Sequence, residues 1–132
     1  MVPLKEAEHE VKVVTQRLAL LHLAYAKTLI KEFGWKKGKL LVLKAIKDYG
    51  IRVADRTQRG FQSLPKYGFW ENREGKPRLC ELGKLVLESG EGDIGSLYCL
   101  IDAAKTMAMN PQEKLIHTKC LPLGDENCEF IT

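Results

Sequence analysis

A chain of 132 residues, 45% hydrophobic and 29% charged, is a single domain of ordinary size with enough apolar material for one core and too little for two. Its 11 glycines and 5 prolines are also ordinary, so composition forces no segment into disorder. The net charge of +4 is spread over 21 basic and 17 acidic residues with no basic run interleaved with aromatics, and a nucleic-acid partner is not indicated.

The chain opens with the polar, acidic stretch Met1 to Glu10, unlike a secretory leader, and its longest apolar run, Leu18 to Ala26, contains His22 and falls far short of a span. These features predict a cytoplasmic protein with no membrane partner. Val11, Val14, Leu18, Leu21 and Tyr25 recur at helical spacing, and Gly34 after Phe33 is a stop signal, so a long first helix is expected. Leu20, Leu23, Ala24, Ala26 and Ile30 make its second half apolar on most sides. Such a helix is either central or shared between subunits, and a homodimer is the simplest way to cover it.

A second helix is expected after Lys37-Gly38, running through Leu40, Leu43, Ile46, Tyr49 and Val53 and ending near Arg59-Gly60. Gly50 inside it costs about 1 kcal/mol relative to Ala. Gln62 to Pro77 holds Pro65, Gly68, Gly75 and Pro77 around Phe69 and Trp70, which reads as irregular chain with room for one short strand and with aromatics suited to a pocket wall. From Cys80, the pattern Leu82, Leu85, Val86 predicts a short helix stopped by Ser89-Gly90. A stronger helix follows, with Asp93 as N-cap, Ile94, Leu97, Tyr98, Ile101, Ala104 and Ala108 on one face, and Asn110-Pro111 at its end. Cys99 and Asp102 sit side by side on its flank.

The last segment predicts a β-hairpin with strands over Lys114 to Leu121 and Asn127 to Ile131. Pro122, Gly124, Asp125 and Asn127 reverse the chain between them. A lone hairpin is marginal in water, so it must join further strands or pack on the helices. The fold class is therefore α+β: one domain over residues 1–132, with two long N-terminal helices, further helices and a small antiparallel sheet that includes the C-terminal hairpin.

That hairpin brings His117, Cys120 and Cys128 within twelve residues. Four cysteines in a reducing compartment are free, metal-bound or catalytic rather than a disulfide framework. Zinc takes tetrahedral S and N ligands, and Cys120, Cys128 and His117 supply three, with Cys99 or Cys80 the fourth from a neighbouring element. His117 and Cys120, three apart, face opposite sides of an ideal strand, so the site requires a β-bulge near Thr118. The competing reading makes the cysteines small buried hydrophobes and His117 a surface strand residue.

From Cys80 onward the chain resembles the L-2-amino-thiazoline-4-carboxylate hydrolase family. The matching residues are Cys80, Tyr98-Cys99-Leu100-Ile101-Asp102, Asn110-Pro111, Thr118-Lys119, Gly124-Asp125 and Cys128-Glu129-Phe130. The hairpin also looks like that of the related 4-vinyl reductase domain, a small-molecule-binding module in which Thr-Lys-Cys, Gly-Asp and Cys-x-Phe recur and some sensor members hold structural zinc. Cys120 belongs to that second pattern and departs from the first.

The resemblance thus implies either a hydrolase acting on a thiazoline acid or a ligand-sensing or adaptor domain. Opening a thiazoline ring adds water to a C=N bond and then cleaves C–S, which calls for a nucleophile, a proton donor and a carboxylate clamp. Cys99 with Asp102 could be nucleophile and orienting acid, His22 or His117 a base, and Arg52, Arg56 or Lys119 the clamp. Cys99, however, is expected in mid-helix beside a carboxylate, which raises a thiol pKa. In the binding reading, Tyr49, Phe61, Phe69, Trp70 and Tyr98 line a cavity for a small apolar or aromatic ligand.

Overall fold

A computed structural model describes residues 2–61 and 80–131. Phe69, Trp70 and the short strand expected within Gln62 to Pro77 lie outside the described residues. The fold is α+β, helices carrying a small antiparallel sheet at the C-terminal end.

Helix α1 spans Leu4–Phe33 and stops at Gly34, whose φ of 83° is a left-handed turn that a side chain resists. Helix α2, Trp35–Gln58, begins at once. This corrects the expected start after Gly38, which is instead a buried position within α2. A Cβ at Gly38 would stand 2.5 Å from the Ile30 Cα, so the glycine is there to let α2 touch the end of α1, not to open a helix. The buried positions of α2, Gly38, Val42, Ile46, Gly50 and Ala54, form one row at four-residue spacing.

Helix α3, Glu81–Glu88, is capped at its start by the Cys80 sulfur, which accepts the Gly83 N–H at 3.5 Å. The single long helix expected from Asp93 to Asn110 is three pieces: α4 Gly92–Gly95, a 3₁₀ turn Ser96–Cys99, and α5 Leu100–Met109. The two glycines of α4 sit at close approaches to other elements. A Cβ on Gly95 would lie 2.5 Å from the Val86 Cβ, and one on Gly92 would strike the Pro122 carbonyl oxygen. Asp93 accordingly lies inside α4, with Glu91 at the cap position.

Strands β1, Ile116–Lys119, and β2, Glu129–Ile131, pair antiparallel and are shorter than expected. Ile116 opposes Ile131 and His117 opposes Phe130, but Lys119 opposes Glu129, which leaves Thr118 as an extra residue. That is the bulge the metal reading required, and the Thr118 hydroxyl donates to the Glu129 carbonyl across it at 3.1 Å. Between the strands, a 3₁₀ turn Leu121–Leu123 buries Leu121 and Pro122 against Gly83 of α3.

The core has two centres that α1 serves in turn. Ala19 and Leu23 meet Leu82 and Val86 of α3, while Ala26 meets Val42 and Ile46 of α2 with Leu97 and Ile101. His22 ties α1 to α4 through a 3.0 Å bond between Nε2 and the Ile94 carbonyl, and the Lys27–Glu91 ion pair repeats that link one turn later. Among the described residues, no helix is long and apolar enough to cross a membrane.

Candidate functional site

Cys99 ends the 3₁₀ turn before α5, His117 lies on β1 and Cys120 follows the strand directly. Parity along a strand shifts by one at a bulge, so Thr118 lets His117 and Cys120 face the same side. The ligating atoms of Cys99, His117 and Cys120 all fall within 4.8 Å of one another. A tetrahedral zinc ion holds its S and N ligands about 3.5–3.8 Å apart, so closure of about 1 Å would seat an ion.

The surroundings hold these donors in place. The His117 ring stacks on Phe130 at 4.2 Å between centroids and 21° between planes. Its Nε2 is buried with no hydrogen-bond partner. An orphaned buried acceptor is costly unless something fills its coordination, and a cation does so. The Cys120 N–H donates to the Asp125 carboxylate at 2.7 Å, fixing the turn from which the thiol projects. Two sulfurs and one imidazole nitrogen suit zinc better than magnesium or calcium, which prefer oxygen.

Electrostatics divides the two thiols. The Cys99 thiol donates to the Cys120 sulfur, and this bond, with burial, pushes the Cys99 pKa well up. The same bond lowers Cys120 to about 7 against the opposing effect of burial. Of the two, Cys120 is the thiol that gives up its proton more readily, a step toward the deprotonated donors a metal needs. Burial lowers His117, which keeps its imidazole neutral, and raises Asp102 despite Lys105, whose ammonium is 3.7 Å away, and His117.

Cys128 is buried and its sulfur accepts the Leu121 N–H at 3.4 Å. It stands outside the mutually close trio, as does Cys80, although both thiols are near enough to add to the upward push on Cys99. The proposed catalytic pair is weak as chemistry, because Cys99 keeps its proton where a nucleophile needs a thiolate. The three cationic candidates for a carboxylate clamp are engaged elsewhere on the surface: Arg52 with Asp48, Arg56 over the Phe61 ring and Lys119 with Glu129. Phe61 is exposed, with Arg56 and Arg59 over its ring, and is not in the wall of the α1–α2 cleft described below.

A second feature lies on the other side of Tyr98. A cleft of about 210 Å³ runs between α1 and α2, walled by Leu18, Leu21, Tyr25, Ile46, Tyr49 and Tyr98 and their apolar neighbours. Tyr49 and Tyr98 were expected at such a wall and are there, their hydroxyls 3.4 Å apart and their rings edge-to-face at 5.9 Å. Burial and this contact push the Tyr98 hydroxyl far up, so it stays a neutral donor. His22, edge-on to Tyr98 at 5.5 Å, is kept neutral by burial and donates to Ile94.

Sequence reasoning missed the α1 contribution to this cleft. Its signal was present, since Leu18, Leu21 and Tyr25 form one helical stripe, but periodicity does not say what a stripe faces. No family model, no curated protein and no solved structure matches the chain.

Proposed function

We propose that the protein is a small-molecule-binding domain whose C-terminal hairpin is fixed to the start of α5 by a structural zinc ion held by Cys99, His117 and Cys120. The observation that carries the reading is the trio itself, three soft donors from two distant stretches of chain within 4.8 Å, with the His117 Nε2 buried and unpartnered. The lining of the cleft supports the ligand half: an apolar wall with the Tyr49 and Tyr98 hydroxyls at one end suits a small apolar or aromatic molecule with a single polar group. In this reading the ion ties the hairpin to the helices, with its fourth position left to a further ligand.

The hydrolase reading rests on the resemblance of Tyr98-Cys99-Leu100-Ile101-Asp102 and its neighbours. Cys99 cannot serve as nucleophile and zinc ligand at once, and its raised pKa disfavours the first role.

Metal analysis on protein purified without chelator separates the two. One equivalent of zinc in the wild type, lost in Cys120→Ser and in His117→Ala, is the expected result. Sub-stoichiometric zinc in the wild type, with four freely titrating thiols and turnover of a thiazoline acid abolished by Cys99→Ser, would replace it with the hydrolase.

A further inference from the structure

Helix α1 carries an apolar row that the described residues leave largely exposed. Leu4, Ala7, Val11, Val14, Leu18, Leu21, Tyr25 and Thr28 alternate three and four residues apart, the a/d pattern of a coiled-coil seam. The core face of α1 is a different one, that of Ala19, His22, Leu23 and Ala26. Along the seam, Leu4 is 73% exposed, Val11 66%, Val14 65%, Leu21 54% and Tyr25 68%. A contiguous apolar row of this length is a docking face.

Charge indicates the occupant. The flank beside the seam reads Glu10, Arg17, Ala24 and Lys31 at seven-residue steps, acidic at one end and basic at the other. Such a flank is complementary to itself when reversed. In an antiparallel pair with Leu18 opposite the partner's Leu21, Val14 meets the partner's Tyr25, Val11 meets the partner's Thr28, and Glu10 comes beside the partner's Lys31. A parallel pair would instead set Glu10 beside the partner's Thr15 and Arg17 beside the partner's His22, and no opposite charges would meet on this flank.

We infer that α1 pairs antiparallel with α1 of a second copy of this chain through the Val11-Val14-Leu18-Leu21-Tyr25 seam, with Glu10 and Lys31 setting the direction. The interface is isologous, each residue meeting its counterpart across one two-fold axis. Leu18, Leu21 and Tyr25 belong both to the seam and to the cleft wall, so the partner helix covers the open side of the cleft.

Sedimentation of the full-length chain over micromolar concentrations tests this. The wild type is expected at twice the 14.9 kDa chain mass. Val14→Glu places a charge in the seam at an exposed, non-cleft position, so it should keep the helical circular-dichroism signal while raising the dimer dissociation constant at least about 100-fold. Glu10→Lys and Lys31→Glu should each weaken association about fivefold, and the double variant should recover it. A monomeric wild type, or a Val14→Glu variant as dimeric as the wild type, overturns the seam. A double variant no tighter than either single one overturns the antiparallel register.

Discussion

Replacing Gly50 by Ala is the sharpest test of the helical packing, because two effects of known size oppose each other there. In an isolated helix, Ala in place of Gly gains about 1 kcal/mol. In this fold the new Cβ would stand 2.7 Å from the Ala104 Cβ and 2.9 Å from the Lys105 backbone nitrogen. Ordinary contact lies near 3.8 Å, so α5 must retreat by about 1 Å. Backbone cannot rotate away as a flexible side chain would, which sets the penalty at the upper end of overpacking, about 3 kcal/mol. The balance is a loss of about 2 kcal/mol, or a fall in Tm of about 8 °C for a domain of this size. Thermal and urea denaturation at one fixed protein concentration measure it. Ala104→Gly removes the nearest obstacle, so the double variant should recover part of the loss. A Gly50→Ala protein as stable as the wild type, or more so, would refute the close α2–α5 crossing.

Acid should weaken the fold through His22, whose pKa burial holds below the ordinary 6.5. The unfolded chain takes up this proton below about 6.5 while the folded chain resists, so stability is full above that pH and is lost as pH falls toward the folded pKa. His22→Leu should flatten part of that slope, and an unchanged slope in urea unfolding across this range would contradict it. Asp125→Ala removes the acceptor of the Cys120 N–H, with an expected loss of about 1–2 kcal/mol and, if the trio holds zinc as proposed, about tenfold in zinc affinity. Asp125→Asn should recover part of both, and unaltered zinc affinity in the alanine variant would detach this turn from the metal site.

Stop signals in the sequence proved more reliable than start signals. Gly34 and Ser89-Gly90 ended helices where expected, because a positive φ or a frayed last turn is a local property of the residue. Gly38 misled as a start because its glycine answers to Ile30 across a helix pair, a contact that no local pattern reports. Gly92 and Gly95 are likewise small for the sake of Pro122 and Val86, residues that lie elsewhere in the chain. The hairpin, the Asn110 stop and the need for a bulge near Thr118 followed from turn chemistry and strand parity, both short-range rules.

The sites divide along the same line. Spacing alone linked His117 with Cys120, but Cys99 joins them only once the Leu121–Leu123 turn seats the hairpin on α3 and α4, and Cys128 stands outside although it is nearer in the hairpin's sequence. Of the expected cleft residues, Tyr49 and Tyr98 line the wall and Phe61 is exposed, while Phe69 and Trp70 are not among the described residues.

The bulge at Thr118 makes the facing of the donors depend on a count of residues as well as on their identity. Regular pairing of the present sequence, without the bulge, would turn His117 and Cys120 to opposite sides, whereas deleting Thr118 outright would leave them two apart on a regular strand and on the same side. A chain related to this one could therefore keep the pair on one side with two intervening residues and a bulge, or with one intervening residue and none. Comparing ligand residues column by column would miss that equivalence, and the length of the segment between the two ligands, read together with the bulge, is the character to follow.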